Sequence, residues 1–272
     1  MPPETPADDR PTSDPQIHAV RRGSGRPLVL LHGLGGSWRS WDLVAPALMQ
    51  HREVITPDLP GFGDSPPLGE QVSIADLADA VTAYLVREGL EQADLVGSSV
   101  GARLVLELAR RGVGGDVVSL DPGGFWSRRE LAWFSATLRP SVAALEVLRP
   151  VLPALAANPV TRSALIAQFS VRPWALPADV VARELVGNAT SPSEDAVLHA
   201  LITGPRQQGA ATTPGRVTIG WGRQDRICLP AQARRATTLF PTAQLHWFER
   251  CGHFPQWDAP TETIDLVLGA TG

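Results

Sequence analysis

Short apolar runs ending in glycine or proline alternate with helix-length amphipathic stretches over the first 124 residues. This alternation limits the fold more than any other feature of the chain. "PLVLLHG" (27–33) is continuously apolar up to its glycine, as a strand buried on both faces reads. "EVITPDLPG" (53–61), "ADLVGSS" (93–99) and "DVVSLDPGG" (116–124) repeat the pattern. Between them lie "SWDLVAPALMQ" with helical spacing, "SIADLADAVTAYLVREGL" (73–90) and "VGARLVLELARRG" (100–112). In the second of these, Ile74, Leu77, Val81 and Leu85 recur at threes and fours. Ser73 can cap that helix, with Asp76 in its first turn. The alternation predicts an α/β fold: a mostly parallel central sheet covered by helices on both faces.

From 125 to 210 strand-like runs vanish. Short helical stretches such as "RRELAWFSATL", "SVAALEVLRPVL", "TRSALIAQFS" and "DVVARELVGNA" are expected to be broken by Pro140, Pro150, Pro153, Pro159, Pro173 and Pro177. The strand pattern returns in "RVTIGWG" (216–222) and "AQLHWFERCGH" (243–253), and "PTETIDLVLGA" reads as a closing helix. The expected organisation is one core, 17–124 and 211–272, with an inserted helical cap at 125–210. The first 16 residues, acidic and proline-rich, are expected to be a disordered tail.

Composition narrows the function classes. A formal charge of -4 gives no long-range attraction for nucleic acid or an anionic membrane. All the basic side chains besides histidine are arginines, so Schiff-base chemistry on lysine is excluded. Cys228 and Cys251 lack metal-ligand spacing, and a reduced compartment fits them better than a disulfide framework. The N-terminal stretch does not read as a signal peptide, and no apolar run of the sequence reaches bilayer-spanning length. A soluble cytoplasmic protein acting on a small molecule is expected, without metal or cofactor; the oligomeric state is open.

"GSSVG" (97–101) carries the chemistry. A serine must be both activated by a base and presented to substrate, and a sharp strand-to-helix turn lifts one side chain clear of the sheet. That turn requires small residues two positions before and after the serine. Around Ser99 these are Gly97 and Gly101; around Ser98 they are Val96 and Val100. Ser99 is therefore the candidate nucleophile. An acid and a base should follow it in that order. Asp225 stands just past one expected strand and His253 just past the next, 28 residues on, where open α/β sheets bind ligands. Asp121, also at a strand end, competes as the acid; it precedes Pro122 in a turn where Asp is common for backbone reasons. His18, His51, His199 and His246 read as structural or solvated. Backbone N–H groups of Val100 and Leu34 are candidates for an oxyanion hole, Leu34 lying in the glycine-rich "HGLGGSW" (32–38). A dinucleotide fingerprint there, with Asp58 as the ribose acid, would need glycine where Trp38 stands.

"HGLGG", "DLPGFGDS", "GSSVG", the Asp after "WGRQ" and "CGHFPQWDAP" together resemble the α/β-hydrolase superfamily, over nearly the whole chain from about residue 17. The resemblance implies the α/β-hydrolase fold, a helical cap between the sixth and seventh strands, and Ser99, His253 and Asp225 as nucleophile, base and acid. It implies that Asp58, Pro60 and Gly61 only shape the floor of the site. Serine at 99 departs from the dehalogenase and epoxide-hydrolase branches, whose nucleophile is a carboxylate. The branch that cleaves carbon–carbon bonds typically carries Trp after the catalytic His; here the residue is Phe254. The expected activity is hydrolysis of an ester or related acyl bond, carbon–carbon hydrolysis of a β-diketone-like substrate being the alternative. A ligand receptor or non-hydrolytic biosynthetic enzyme of the same fold is the third reading. Trp126, Trp133, Phe134, Phe169 and Trp174, with Phe254, are candidate substrate contacts, or else join cap to core. Arg128, Arg129 and Arg172 could meet a carboxylate, although exposed arginines are usually solvated.

Overall fold

A computed structural model describes residues 16–272; all but the last residue of the expected tail lies outside the described residues. Among the described residues seven strands form one sheet in the order β1-β3-β2-β4-β5-β6-β7. They are β1 Ala19–Gly23, β2 Pro27–Leu31, β3 Glu53–Pro57, β4 Asp94–Ser98, β5 Val117–Leu120, β6 Val217–Gly222 and β7 Gln244–Phe248. Only β1 runs antiparallel, against β3. β1 was not legible in the sequence: it is a polar edge strand, with Arg21 and Arg22 exposed, and shows no apolar run. The helices are α1 Ala45–Leu48, α2 Ile74–Arg87, α3 Val100–Arg110, α4 Arg128–Leu148, α5 Leu152–Ala157, α6 Pro159–Ile166, α7 Ala178–Thr190, α8 Glu194–Thr203, α9 Gln232–Leu239, α10 Pro255–Asp258 and α11 Pro260–Ala270.

The apolar strands bury both faces because successive side chains point to opposite sides. In β2, Val29 and Leu31 pack with Leu77 and Val81 of α2 and Leu104 of α3, while Leu28 and Leu30 pack with Leu48 of α1 and Val267 of α11. The stretch 40–50, expected to be helical throughout, is a 3-10 turn at Trp38–Trp41 followed by the single turn of α1.

Helices α4–α8 stand between β5 and β6, the fifth and sixth described strands, one place earlier than the resemblance implied. Pro140 does not break its segment: α4 continues through it for 21 residues. An interior proline costs a helix about 3 kcal/mol. Phe134, Leu138, Val142 and Leu145, spaced at fours and threes and buried, hold α4 together against neighbouring helices and the sheet. With α5 it makes a helical run, Arg128–Ala157, that by length and hydropathy alone is long enough to cross a membrane, contrary to the expectation of no such run. A second cluster, Leu145, Leu152, Ile166, Val181 and Leu185, packs these helices together, and Trp257 of α10 joins it to the rest of the fold.

Candidate active site

The two glycines of "GSSVG" are fixed by space. A Cβ on Gly97 would stand 2.1 Å from the Gly101 carbonyl oxygen, and one on Gly101 would stand 2.1 Å from that of Leu31. Strand β4, helix α3 and strand β2 thus meet where only glycine fits. Ser99, between them, has φ 56° and ψ -110°, a conformation costly to any residue with a side chain. Ser98 points elsewhere: it is fully buried, and its Oγ accepts a hydrogen bond from Gln256 Nε2 at 3.0 Å.

Ser99 Oγ lies 2.8 Å from His253 Nε2, and His253 Nδ1 lies 2.8 Å from Asp225 Oδ2. The other Asp225 oxygen accepts from the N–H groups of Ile227 (2.7 Å) and Cys228 (3.0 Å), which locks the carboxylate. With Nδ1 donating to Asp225, Nε2 is left free to accept from the serine hydroxyl. The structure brings together the three residues read from the sequence. Asp121 does not reach the imidazole. Its Oδ1 accepts from Gly222 N–H at 2.8 Å, and it faces Asp225. Burial and the neighbouring Asp225 push its carboxyl well above the ordinary range.

That shift has a sign. A folded Asp121 that stays protonated, against an unfolded one that ionises near pH 4, makes stability fall as pH rises above that value. Asn is neutral and tolerates the Asp121 φ of 50°. Asp121→Asn should therefore gain melting temperature relative to the parent between pH 5 and 8, measured by calorimetry. A difference that shrinks over that range would contradict the assignment.

Val100 is the first residue of α3, so its N–H has no acceptor within the helix. Leu34, in the loop after β2, lines the same pocket as Ser99 and Val100. His32, overlooked in the sequence, braces this loop. It is fully buried, donates from Nδ1 to Gly33 O (2.7 Å) and accepts at Nε2 from Leu59 N–H (2.9 Å). Burial lowers its pKa, in keeping with the neutral ring these bonds need. Asp258 is a second brace: its carboxylate accepts from Gly252 N–H (2.8 Å), Ser170 Oγ–H (2.5 Å) and Val171 N–H (3.0 Å), tying the His253 loop to the segment after α6. Asp58 accepts from Trp38 N–H and Asp64 N–H, a turn-shaping role.

The pocket over Ser99 is apolar. Of the candidate contacts, Trp126, Phe134, Phe169 and Phe254 line it. Trp126 stacks on Phe134 at 4.9 Å, and Phe169 on Phe254 at 5.8 Å. Trp133 and Trp174 do not line it. Trp133, next to Phe134 on α4, turns about 100° away, is half-exposed and donates to Arg226 O at 3.0 Å. Trp174 sits exposed in a 3-10 turn. Arg128, Arg129 and Arg172 also lie off the pocket, whose described lining contains no arginine. Cys228 lines it as a buried thiol pushed well above its ordinary pKa. A thiol held protonated is a poor nucleophile and a poor metal ligand, even though Asp225 and His253 stand beside it.

A parallel sheet with a strained serine at a strand–helix turn, facing a histidine and an aspartate from later strand ends, defines the α/β-hydrolase class. Residues 28–266 match the model of the alpha/beta hydrolase family, and the chain belongs to that family. It is 30% identical to the 2-hydroxymuconate semialdehyde hydrolase of a Pseudomonas species, over 90% of this chain and 86% of that one. It is 28% identical to the 2-hydroxy-6-oxo-2,4-heptadienoate hydrolase of Pseudomonas putida, over 92% and 90%. Its fold superposes on a thermophilic esterase from Thermogutta terrifontis with TM-score 0.70, at 18% identity over 93% and 92%.

Proposed function

We propose that the protein is a serine hydrolase of an uncharged, largely apolar acyl compound, with an ester as the bond cleaved. In this reading Ser99 attacks the carbonyl while His253 takes its proton, and Asp225 holds the ring in the required tautomer. The N–H groups of Val100 and Leu34 receive the developing oxyanion, with the N-terminal end of α3 adding to the field. His253 then returns the proton to the leaving group, and water, activated by the same ring, releases the acid.

The observation that carries this reading is the Ser99–His253–Asp225 hydrogen-bonded chain opening onto an apolar pocket with no arginine in its lining. Similarity to the two dienoic-acid and semialdehyde hydrolases favours a second reading, carbon–carbon bond hydrolysis. A dienoate carries a carboxylate, however, and Glu184 in the pocket, its carboxyl raised by burial to about 7, would repel it above that pH. Assaying p-nitrophenyl butyrate beside 2-hydroxy-6-oxo-2,4-heptadienoate at pH 8 decides between them. The ester should be turned over at least about a hundredfold more efficiently, as kcat/KM. The opposite order would establish the carbon–carbon reading instead.

A further inference from the structure

Two polar side chains, Glu184 and Asn188, interrupt the apolar wall of the pocket, the Asn188 amide lying against Gly35 beside Leu34, and neither takes part in the chemistry described above. Glu184 and Asn188 stand one turn apart on α7, on the same helix face. Asn188 Nδ2 donates to the Glu184 carbonyl at 3.0 Å, which fixes the amide. Glu184 Oε1 accepts from Ser40 Oγ–H at 2.8 Å, and Ser40 Oγ in turn accepts from Ser37 N–H in the glycine-rich loop. No hydrogen bond from the described residues reaches Glu184 Oε2, and this half-buried side chain also borders a more open surface pocket beside Gly36 and Ser37, so Oε2 keeps contact with solvent. Burial raises this carboxyl to about 7, opposed by the bond from Ser40 and by Arg183.

An acid oxygen that depends on water for its hydrogen bonds loses them when an apolar ligand covers it, and that loss costs binding. A ligand that brings a donor replaces that water. A hydroxyl serves either protonation state, since it both donates and accepts. A hydrocarbon chain laid against Oε2 would take its water away and give nothing back. A carboxylate-ended chain would set two acids together in a low dielectric. Ester hydrolysis at Ser99 leaves the pocket wall free to choose the acyl group. We propose that Glu184 and Asn188 form a polar patch in the pocket wall and select an uncharged acyl chain bearing a hydroxyl or N–H donor. This selection rests on the reading of Ser99 as an acyl-transfer nucleophile.

The test compares p-nitrophenyl hexanoate, p-nitrophenyl 6-hydroxyhexanoate and the p-nitrophenyl monoester of adipic acid in the parent, Glu184→Gln and Glu184→Leu. The parent should favour the hydroxy ester over the plain one by about tenfold or more in kcat/KM, and Glu184→Leu should reverse that order. Discrimination against the adipate ester, taken as a ratio to the plain ester, should widen from pH 6 to pH 8 in the parent as Glu184 ionises. In Glu184→Gln, which keeps an acceptor for Ser40, the ratio should be flat. The other titratable groups here are Arg183 and Asp42, paired at 2.8 Å, and His253 and Cys228 across the pocket. None of them differs between Glu184→Gln and the parent. A second measurement needs no turnover: 1,6-hexanediol should bind Ser99→Ala about tenfold more tightly than 1-hexanol, and lose that preference in Ser99→Ala/Glu184→Leu. An unchanged ester order in Glu184→Leu, or equal binding of the two alcohols, overturns the selection. Retained diol preference with no hydrolysis of any ester would instead overturn the acyl-hydrolase reading and leave the selection standing.

Discussion

Ser99→Ala is expected to lower turnover of an activated ester by about a millionfold, the scale on which loss of a triad nucleophile acts. The variant should stay folded, since Ala has the same Cβ and the strained turn is set by the Gly97 and Gly101 contacts rather than by the hydroxyl. Ser98→Ala should behave quite differently. It removes only a buried hydrogen bond with Gln256, at a cost of about 1–3 kcal/mol in stability. Its turnover should stay within about tenfold of the parent. Steady-state rates beside urea melts separate the two effects. A dead Ser98→Ala with a live Ser99→Ala would mean that the glycine frame picks the wrong serine.

Asp225→Asn is expected to cost up to about 10⁴ in turnover with the fold retained. Oδ1 would keep its two backbone donors, Ile227 and Cys228 N–H. The amide nitrogen would then face His253 Nδ1 as a donor and force the imidazole proton onto Nε2, where it can no longer accept from Ser99. Asp121→Asn should change turnover by less than about tenfold, because an uncharged amide replaces a carboxyl that burial already keeps protonated. One ester assayed at pH 8 on both variants is sufficient. A crippled Asp121→Asn beside a healthy Asp225→Asn would transfer the acid's role to the earlier strand.

The sequence revealed whatever depends on local pattern. Buried parallel strands read as unbroken apolar runs, and the strained turn around Ser99 shows as glycines because no other residue has room. Asp225 and His253 were legible because each stands in the loop a few residues past a strand, β6 and β7. What stayed hidden depends on long-range packing. β1 has no apolar run, and it forms because β3 offers an open edge. Pro140 looked like a helix end, yet Leu138 and Val142 on either side are held by tertiary contacts strong enough to carry α4 through it. Trp133 and Phe134 are adjacent and equally aromatic, and only the phase of α4 decides which one faces the pocket. Glu184 is not singled out by the sequence. Nothing local marks it as facing the pocket, and its Ser40 partner lies 144 residues away. His32 sat in plain view within "HGLGG", but its role comes from Leu59, reached only through the fold.

The central claim is that Ser99, activated through His253, forms a covalent acyl intermediate. The most direct measurement is reaction of the parent protein with a fluorophosphonate, followed by digestion and mass spectrometry of the adduct. The account predicts one modification, on the peptide spanning β4 and α3, with fragment ions placing it on Ser99, and its loss in His253→Gln. Modification of Ser98, or undiminished labelling of His253→Gln, would contradict it.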